Sequence, residues 1–184
     1  MEERTEVRFG GSGGQGVVLA ARILGEAAIL DGKNALQTQA YGAEARGSLT
    51  KSEVIISERR INFPAVRSCD ILVAMSQESA DLLSKTLKPG GTLIIDSTNV
   101  KVVPDVQAPT MCVPVTETVR RELGEAYYAN MAMLGVLVRA TKVVTRDSVE
   151  RVIVDRLASK APGNTRAFQL GFQLPSVLAL GPRQ

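Results

Sequence analysis

Five glycines fall among the seven residues from Gly10 to Gly16, and the run Gly11-Ser12-Gly13-Gly14-Gln15-Gly16 keeps the G-x-G-x-x-G spacing of a dinucleotide-binding turn. Glycine at these positions permits a tight strand-to-helix turn and close approach of a backbone or ligand. The first N–H groups of the following helix would favour an anion. The chemistry on offer is therefore phosphate binding, and two of its usual parts are missing. A dinucleotide site takes an Asp or Glu about twenty residues further on to hold the ribose hydroxyls. Here that region reads Leu36-Gln37-Thr38-Gln39, without a carboxylate. No Lys-Ser or Lys-Thr follows the glycines, so the turn is not a P-loop. A packing turn that holds no ligand stays open beside a binding turn.

A second group of polar side chains lies in "TQAYGAEARGS". Tyr41, Glu44 and Arg46 are set among Gly42, Ala43, Ala45 and Gly47. A solvated Glu–Arg pair would explain them at little energetic consequence. Their density between small residues favours a binding or interface role, because a guanidinium suits a phosphate or a partner's carboxylate. At the carboxyl end of a second strand they would share a sheet edge with the glycine turn, where α/β folds carry function.

The composition removes several chemistries. The sequence has no histidine, which excludes His-based acid–base catalysis, the usual triads and a zinc site, so no metal ligand set is expected. Cys69 and Cys112 are isolated in apolar settings and cannot supply the roughly four ligands of an iron–sulfur cluster. They read as reduced, structural thiols of a cytoplasmic protein. The net charge of +3 is spread along the chain and aromatics are only 4%, which argues against nucleic-acid binding. The charged start MEERTEVRF is not a secretory signal, and no apolar run approaches the roughly 18–20 residues of a membrane span.

The elements that must position these groups follow from periodicity. Thr5 to Phe9 is β-prone. Val17, Ala20, Ala21, Leu24, Ala27 and Ala28 then recur at helical spacing, up to turn residues at Asp31-Gly32. Strands are expected at about 34–38, in "LTKSEVIIS", "DILVAM" and "TLIID", and in "MCVPV". Ser76 is placed to cap a helix over roughly 77–87, closed by Lys88-Pro89-Gly90-Gly91. Helices are expected at 116–124, 130–141 and 147–160, and a last one in "NTRAFQLGFQL" with Asn164 as its N-cap. The reading is one α/β domain over 1–184, a Rossmann-like doubly wound sheet with a helical C-terminal portion.

Taken in order, "GSGGQGVVLAARILGEAA", "TQAYGAEARGS", "SEVIIS", "DILVAMSQESAD", "GGTLIIDS" and "NMAMLG" resemble the gamma subunit of the 2-oxoacid:ferredoxin (flavodoxin) oxidoreductases. The group acts on pyruvate, 2-oxoglutarate or branched-chain 2-oxoacids. The resemblance runs from about Phe9 to Gly171, and Ser48 stands where the family often has a second glycine. It implies a subunit inactive alone, within a complex that oxidatively decarboxylates a 2-oxoacid to acyl-coenzyme A and passes electrons to ferredoxin, leaning to 2-oxoglutarate. Thiamine diphosphate, Mg²⁺ and [4Fe–4S] clusters would reside with thiamine diphosphate-binding alpha and beta subunits and a small ferredoxin-like delta subunit. Gly11, Gly13, Gly14, Gln15 and Gly16 would contact coenzyme A or simply support packing. Tyr41, Glu44 and Arg46 would face a partner or the substrate side. Two alternatives remain, a stand-alone nucleotide-binding regulatory domain and an indolepyruvate oxidoreductase beta-type subunit.

Overall fold

The structure, a computed structural model, describes residues 4–41, 49–174 and 177–179. Its strands are β1 (Arg4–Ser12), β2 (Asn34–Tyr41), β3 (Leu49–Ser57), β4 (Cys69–Ala74), β5 (Leu87–Asp96), β6 (Thr110–Val113) and β7 (Val177–Ala179). They form one sheet in the order β2-β3-β1-β4-β5-β6-β7. β1, β4, β5 and β6 are parallel, as the buried apolar runs implied. β3 is antiparallel to both β1 and β2, and β7 is antiparallel to β6. The sheet is therefore mixed. The connection 42–48 is shorter than the dozen or so residues a parallel crossover needs, so β3 turns back along β2 and separates it from β1.

Helices cover both faces unequally. α1 (Val17–Leu30) is buried through Ala20, Ala21, Ile23, Leu24, Ala27 and Ala28. With α3 (Val115–Leu123), α4 (Ala129–Thr141), α5 (Arg146–Leu157) and α6 (Ala161–Gln173) it closes the larger core, which takes Val7, Phe9, Val54, Ile56, Val73 and Ile94 from the sheet. The alternate residues Ile55, Leu72, Leu93 and Ile95 face a smaller core under α2 (Gln77–Leu83), through Ala80 and Leu83. A fully buried Leu or Ile contributes about 1.5–3 kcal/mol over an exposed one, so α1 and α4 dominate the packing. α4 crosses α6 closely enough that a Cβ on Gly171 would lie 1.8 Å from the Ala132 carbonyl oxygen.

Local signals held unevenly. Ser76 caps α2 in a reciprocal capping box with Ser79, and Asp31-Gly32 ends α1 with Gly32 at φ 81°. Asn164 is not an N-cap: α6 begins at Ala161, and Asn164 sits inside it with Nδ2 donating to the Lys160 carbonyl at 2.7 Å. Pro162 explains this, since proline is preorganised for a first helical turn and starts the helix ahead of the asparagine. Lys88-Pro89-Gly90-Gly91 does not merely close α2. It belongs to β5, where the pairing with β4 shifts register between Cys69 and Ile71.

Candidate functional site

The glycine turn stands at the carboxyl ends of the parallel strands, between β1 and α1. Its path is fixed by side-chain bonds. Gln15 Oε1 accepts from the Ser12 N–H at 2.7 Å, and Gln15 Nε2 donates to the Met75 carbonyl at 2.9 Å, just past β4. The Met75 N–H donates to the Gly10 carbonyl at 2.8 Å. Gln15 thus ties the turn to the neighbouring strand end and spends its amide on structure. Gly16 caps α1 with φ 72°, and a Cβ there would lie 2.4 Å from Asn130 Nδ2. The same Nδ2 donates to the Gly16 carbonyl at 3.1 Å. A Cβ on Gly11 would meet Gln15 Oε1 at 2.7 Å. Gly13 and Gly14 are exposed at the tip, and Gly14 (φ 95°) faces open space.

Beside the turn lies a cleft of about 260 Å³, lined by Gly14, Gln15, Met75, Asn99, Thr116 and Tyr127 among others. Its wall is organised by Asp96, the fully buried last residue of β5. Asp96 accepts from the Thr98 N–H (3.0 Å), Asn99 Nδ2 (3.0 Å) and Thr116 Oγ1 (2.5 Å), and from the Thr116 N–H. This carboxylate is saturated, so it shapes the loop and α3 rather than acting on a ligand. Tyr127 forms part of the rim, 57% exposed, edge-on to Tyr128. Among the described residues no Lys, Arg, Asp or Glu lines the cleft.

Sheet register relates the two sequence motifs. Tyr41 pairs with Thr50 and Thr50 with Gly11, so the backbone of Tyr41 is level with the glycine turn, one strand removed. Glu44 and Arg46 lie outside the described residues. The same register bears on dinucleotide binding, which takes its ribose-binding acid from the end of the parallel strand next to the first one. Here that neighbour is β3, which runs the other way and carries Thr50 and Leu49 at this level. The missing acid is thus a consequence of topology as well as of residue type. Sequence reasoning gave Asn130 no role against the turn. A polar residue opening an otherwise apolar helix was the available signal, but its partner is 114 positions away.

The remaining ionisable groups lie elsewhere. Burial pushes the Cys69 thiol up to about 11, and Cys112 is also raised by burial. Arg8, buried within β1, donates to Glu53 Oε1 at 2.8 Å and to the Val66 carbonyl at 2.7 Å. Among the described residues no three His, Cys, Asp or Glu side chains gather to hold a metal, and no helix is long and apolar enough to cross a membrane.

Comparison with known proteins adds to this geometry. The family model for pyruvate ferredoxin/flavodoxin oxidoreductase matches residues 6–174. The 2-oxoglutarate synthase subunit KorC of Methanocaldococcus jannaschii is 41% identical over 179 residues, covering 95% of this chain and 96% of that one. The pyruvate/ketoisovalerate oxidoreductases common subunit gamma of Thermococcus litoralis is 30% identical over 183 residues, covering 95% and 99%. The crystal structure of the keto/oxoacid ferredoxin oxidoreductase gamma subunit from Geobacter sulfurreducens PCA superposes with a TM-score of 0.82 at 41% identity, covering 92% and 96%.

Proposed function

The chain belongs to the pyruvate ferredoxin/flavodoxin oxidoreductase family, and from that premise we propose that it is the gamma-type subunit of a 2-oxoglutarate:ferredoxin oxidoreductase. The observation that carries the reading is the 41% identity to a 2-oxoglutarate synthase subunit across 95% of the chain. The complex would oxidatively decarboxylate 2-oxoglutarate to its acyl-coenzyme A and pass electrons to ferredoxin. Thiamine diphosphate, Mg²⁺ and [4Fe–4S] clusters would be held by alpha and beta subunits and a small ferredoxin-like delta subunit. A cytoplasmic setting suits the two free thiols.

The described lining of the cleft carries no Lys or Arg for the three phosphate groups of coenzyme A, which supports the packing role of the turn over a phosphate contact. We therefore assign Gly11, Gly13, Gly14, Gln15 and Gly16 to supporting the edge of the sheet, with Gly13 and Gly14 left open to a close-packed partner. Tyr41, Glu44 and Arg46 are assigned to the partner or substrate side, where Arg46 would supply the cation that the cleft lacks.

The test is anaerobic purification of the tagged chain from its host, followed by assay of coenzyme A-dependent viologen reduction with several 2-oxoacids. Co-elution with a thiamine diphosphate-containing partner, and activity on 2-oxoglutarate above pyruvate, is the expected result. A chain that elutes without a partner or activity would overturn the subunit reading. In the complex, Arg46→Ala is expected to weaken assembly or raise the KM for coenzyme A.

A further inference from the structure

A second and larger cleft, of about 610 Å³, opens at the opposite edge of the sheet, beside the amino-terminal ends of β1 and β4. Its floor is electrically closed. Glu6 Oε1 accepts from Arg4 Nη2 at 2.7 Å, and Glu6 Oε2 meets Lys88 Nζ at 2.9 Å. Lys88 also reaches Asp70 Oδ1 at 2.9 Å, while Asp70 Oδ2 accepts the Glu6 N–H at 2.7 Å. Two cations and two carboxylates satisfy one another there. The rim differs. Arg67 is exposed and has no carboxylate partner among the described residues. Its guanidinium stands 5.5 Å over the ring of Phe63, itself 49% exposed.

This aromatic–guanidinium pair sits on a segment without regular structure that β1 nevertheless holds at two points. Arg4 Nη2 donates to the Phe63 carbonyl at 3.2 Å, and buried Arg8 Nη2 donates to the Val66 carbonyl at 2.7 Å. The loop is thus anchored before anything docks on it, which reduces the ordering entropy of association. Arginine and aromatic side chains are also the residues enriched at interface centres. A guanidinium held near a ring by cation–π attraction still has N–H donors to offer a carboxylate.

We infer that the Phe63–Arg67 stack is a docking site for an acidic segment of a partner subunit, one carboxylate on Arg67 with an apolar stem against Phe63 and Ala65. The guanidinium can pair a carboxylate in bidentate fashion, and the apolar surfaces of Phe63 and Ala65 beside it suit the stem of a peptide side chain rather than a bare inorganic anion. Arg60, on the same segment, is a second exposed guanidinium, which favours an acidic approach. The inference rests on the subunit reading above, and it concerns the edge of the sheet opposite the glycine turn.

The test titrates the chain onto its purified catalytic subunits by biolayer interferometry at about 50 mM and about 500 mM salt. Arg67→Glu is expected to raise Kd about tenfold or more at low salt and to narrow that gap at high salt. Phe63→Ala should raise Kd with an unchanged salt slope. Arg151→Glu, on the exposed side of α5, is the control expected to leave Kd unaltered. Both test positions are exposed, and circular dichroism checks their folding. Binding of Arg67→Glu within about twofold of the parent at both salts would overturn the docking site while leaving the subunit reading intact. If Arg67→Glu instead lost binding of inorganic phosphate with assembly unchanged, the site would bind free anions and the proposal would fall. Absence of any binding by the parent chain would sink the subunit reading and the docking site with it.

Discussion

Replacing Gly16 with alanine tests whether the glycine turn is a packing device. Gly16 adopts φ 72°, where an L side chain costs about 1–2 kcal/mol. Its new Cβ would lie 2.4 Å from Asn130 Nδ2 and 2.9 Å from Asn130 Cγ, distances that real Cβ atoms do not tolerate. Asn130 is 4% exposed, so it has little room to retreat, and displacing it breaks the bond to the Gly16 carbonyl. Stranding a buried amide and carbonyl adds about 1–3 kcal/mol. The expected loss for Gly16→Ala is about 2–5 kcal/mol, a large part of the 5–15 kcal/mol typical of a whole domain. Gly14→Ala separates the two contributions: its φ is 95°, but nothing lies within 4 Å of the added Cβ, so only the backbone penalty of about 1–2 kcal/mol applies. Equilibrium urea unfolding followed by circular dichroism suits a chain without tryptophan. In the double mutant Gly16→Ala/Asn130→Ala the two shortest contacts disappear and only the residue 130 Cβ remains, at 3.3 Å, so a favourable coupling of about 1–3 kcal/mol is expected. Were Gly16→Ala to destabilise no more than Gly14→Ala, the packing account of the turn would be wrong.

Gly171→Ala should destabilise by about 3 kcal/mol or more, because its Cβ would enter the α4 backbone at the Ala132 carbonyl; Gly25→Ala, whose Cβ meets Val54 at 3.7 Å inside α1, should be neutral or stabilising, and melting temperatures compare the two. Asp31 supports the N-terminus of α5, accepting from the Thr145 N–H at 2.6 Å and from Ser148 Oγ at 2.5 Å. Burial opposes its charge, but the bonds from Ser148 and Thr145 and the nearby Lys33 outweigh it and hold the carboxyl below its ordinary 3.8. A depressed carboxylate contributes stability above that value and loses it as pH falls through the folded pKa, so Asp31→Asn should cost about 1 kcal/mol at neutral pH and converge with the parent in acid. A gap that stayed constant down to about pH 2 would refute this. Cys69, its thiol raised to about 11 by burial, should resist iodoacetamide at about pH 8 in the native chain and react once unfolded; alkylation of folded Cys69 at the rate of a free thiol would contradict its burial.

Most of the secondary structure was legible because it rests on local patterning. The spacing of Ala20, Ala21, Leu24, Ala27 and Ala28, the cap at Ser76 and the apolar run at β4 carry their signals within a few residues. The glycine turn was legible as a turn for the same reason, and the order of motifs was enough to point to the family. Local pattern failed where two local signals competed, as at Asn164, which proline at position 162 moved inside α6. Tertiary structure alone decided which groups meet. The insertion of β3 between β1 and β2 followed from a short connection and removed the parallel neighbour that a nucleotide ribose would need. Gly16 against Asn130, Asp96 against Thr116 and Arg8 against Val66 are pairs distant in sequence whose partners no periodicity identifies. An amide, a carboxylate or a guanidinium is read from the sequence as available chemistry. Whether it is spent on holding the fold, as at Gln15, or left without a carboxylate partner among the described residues, as at Arg67, depends on what the chain brings within hydrogen-bonding distance.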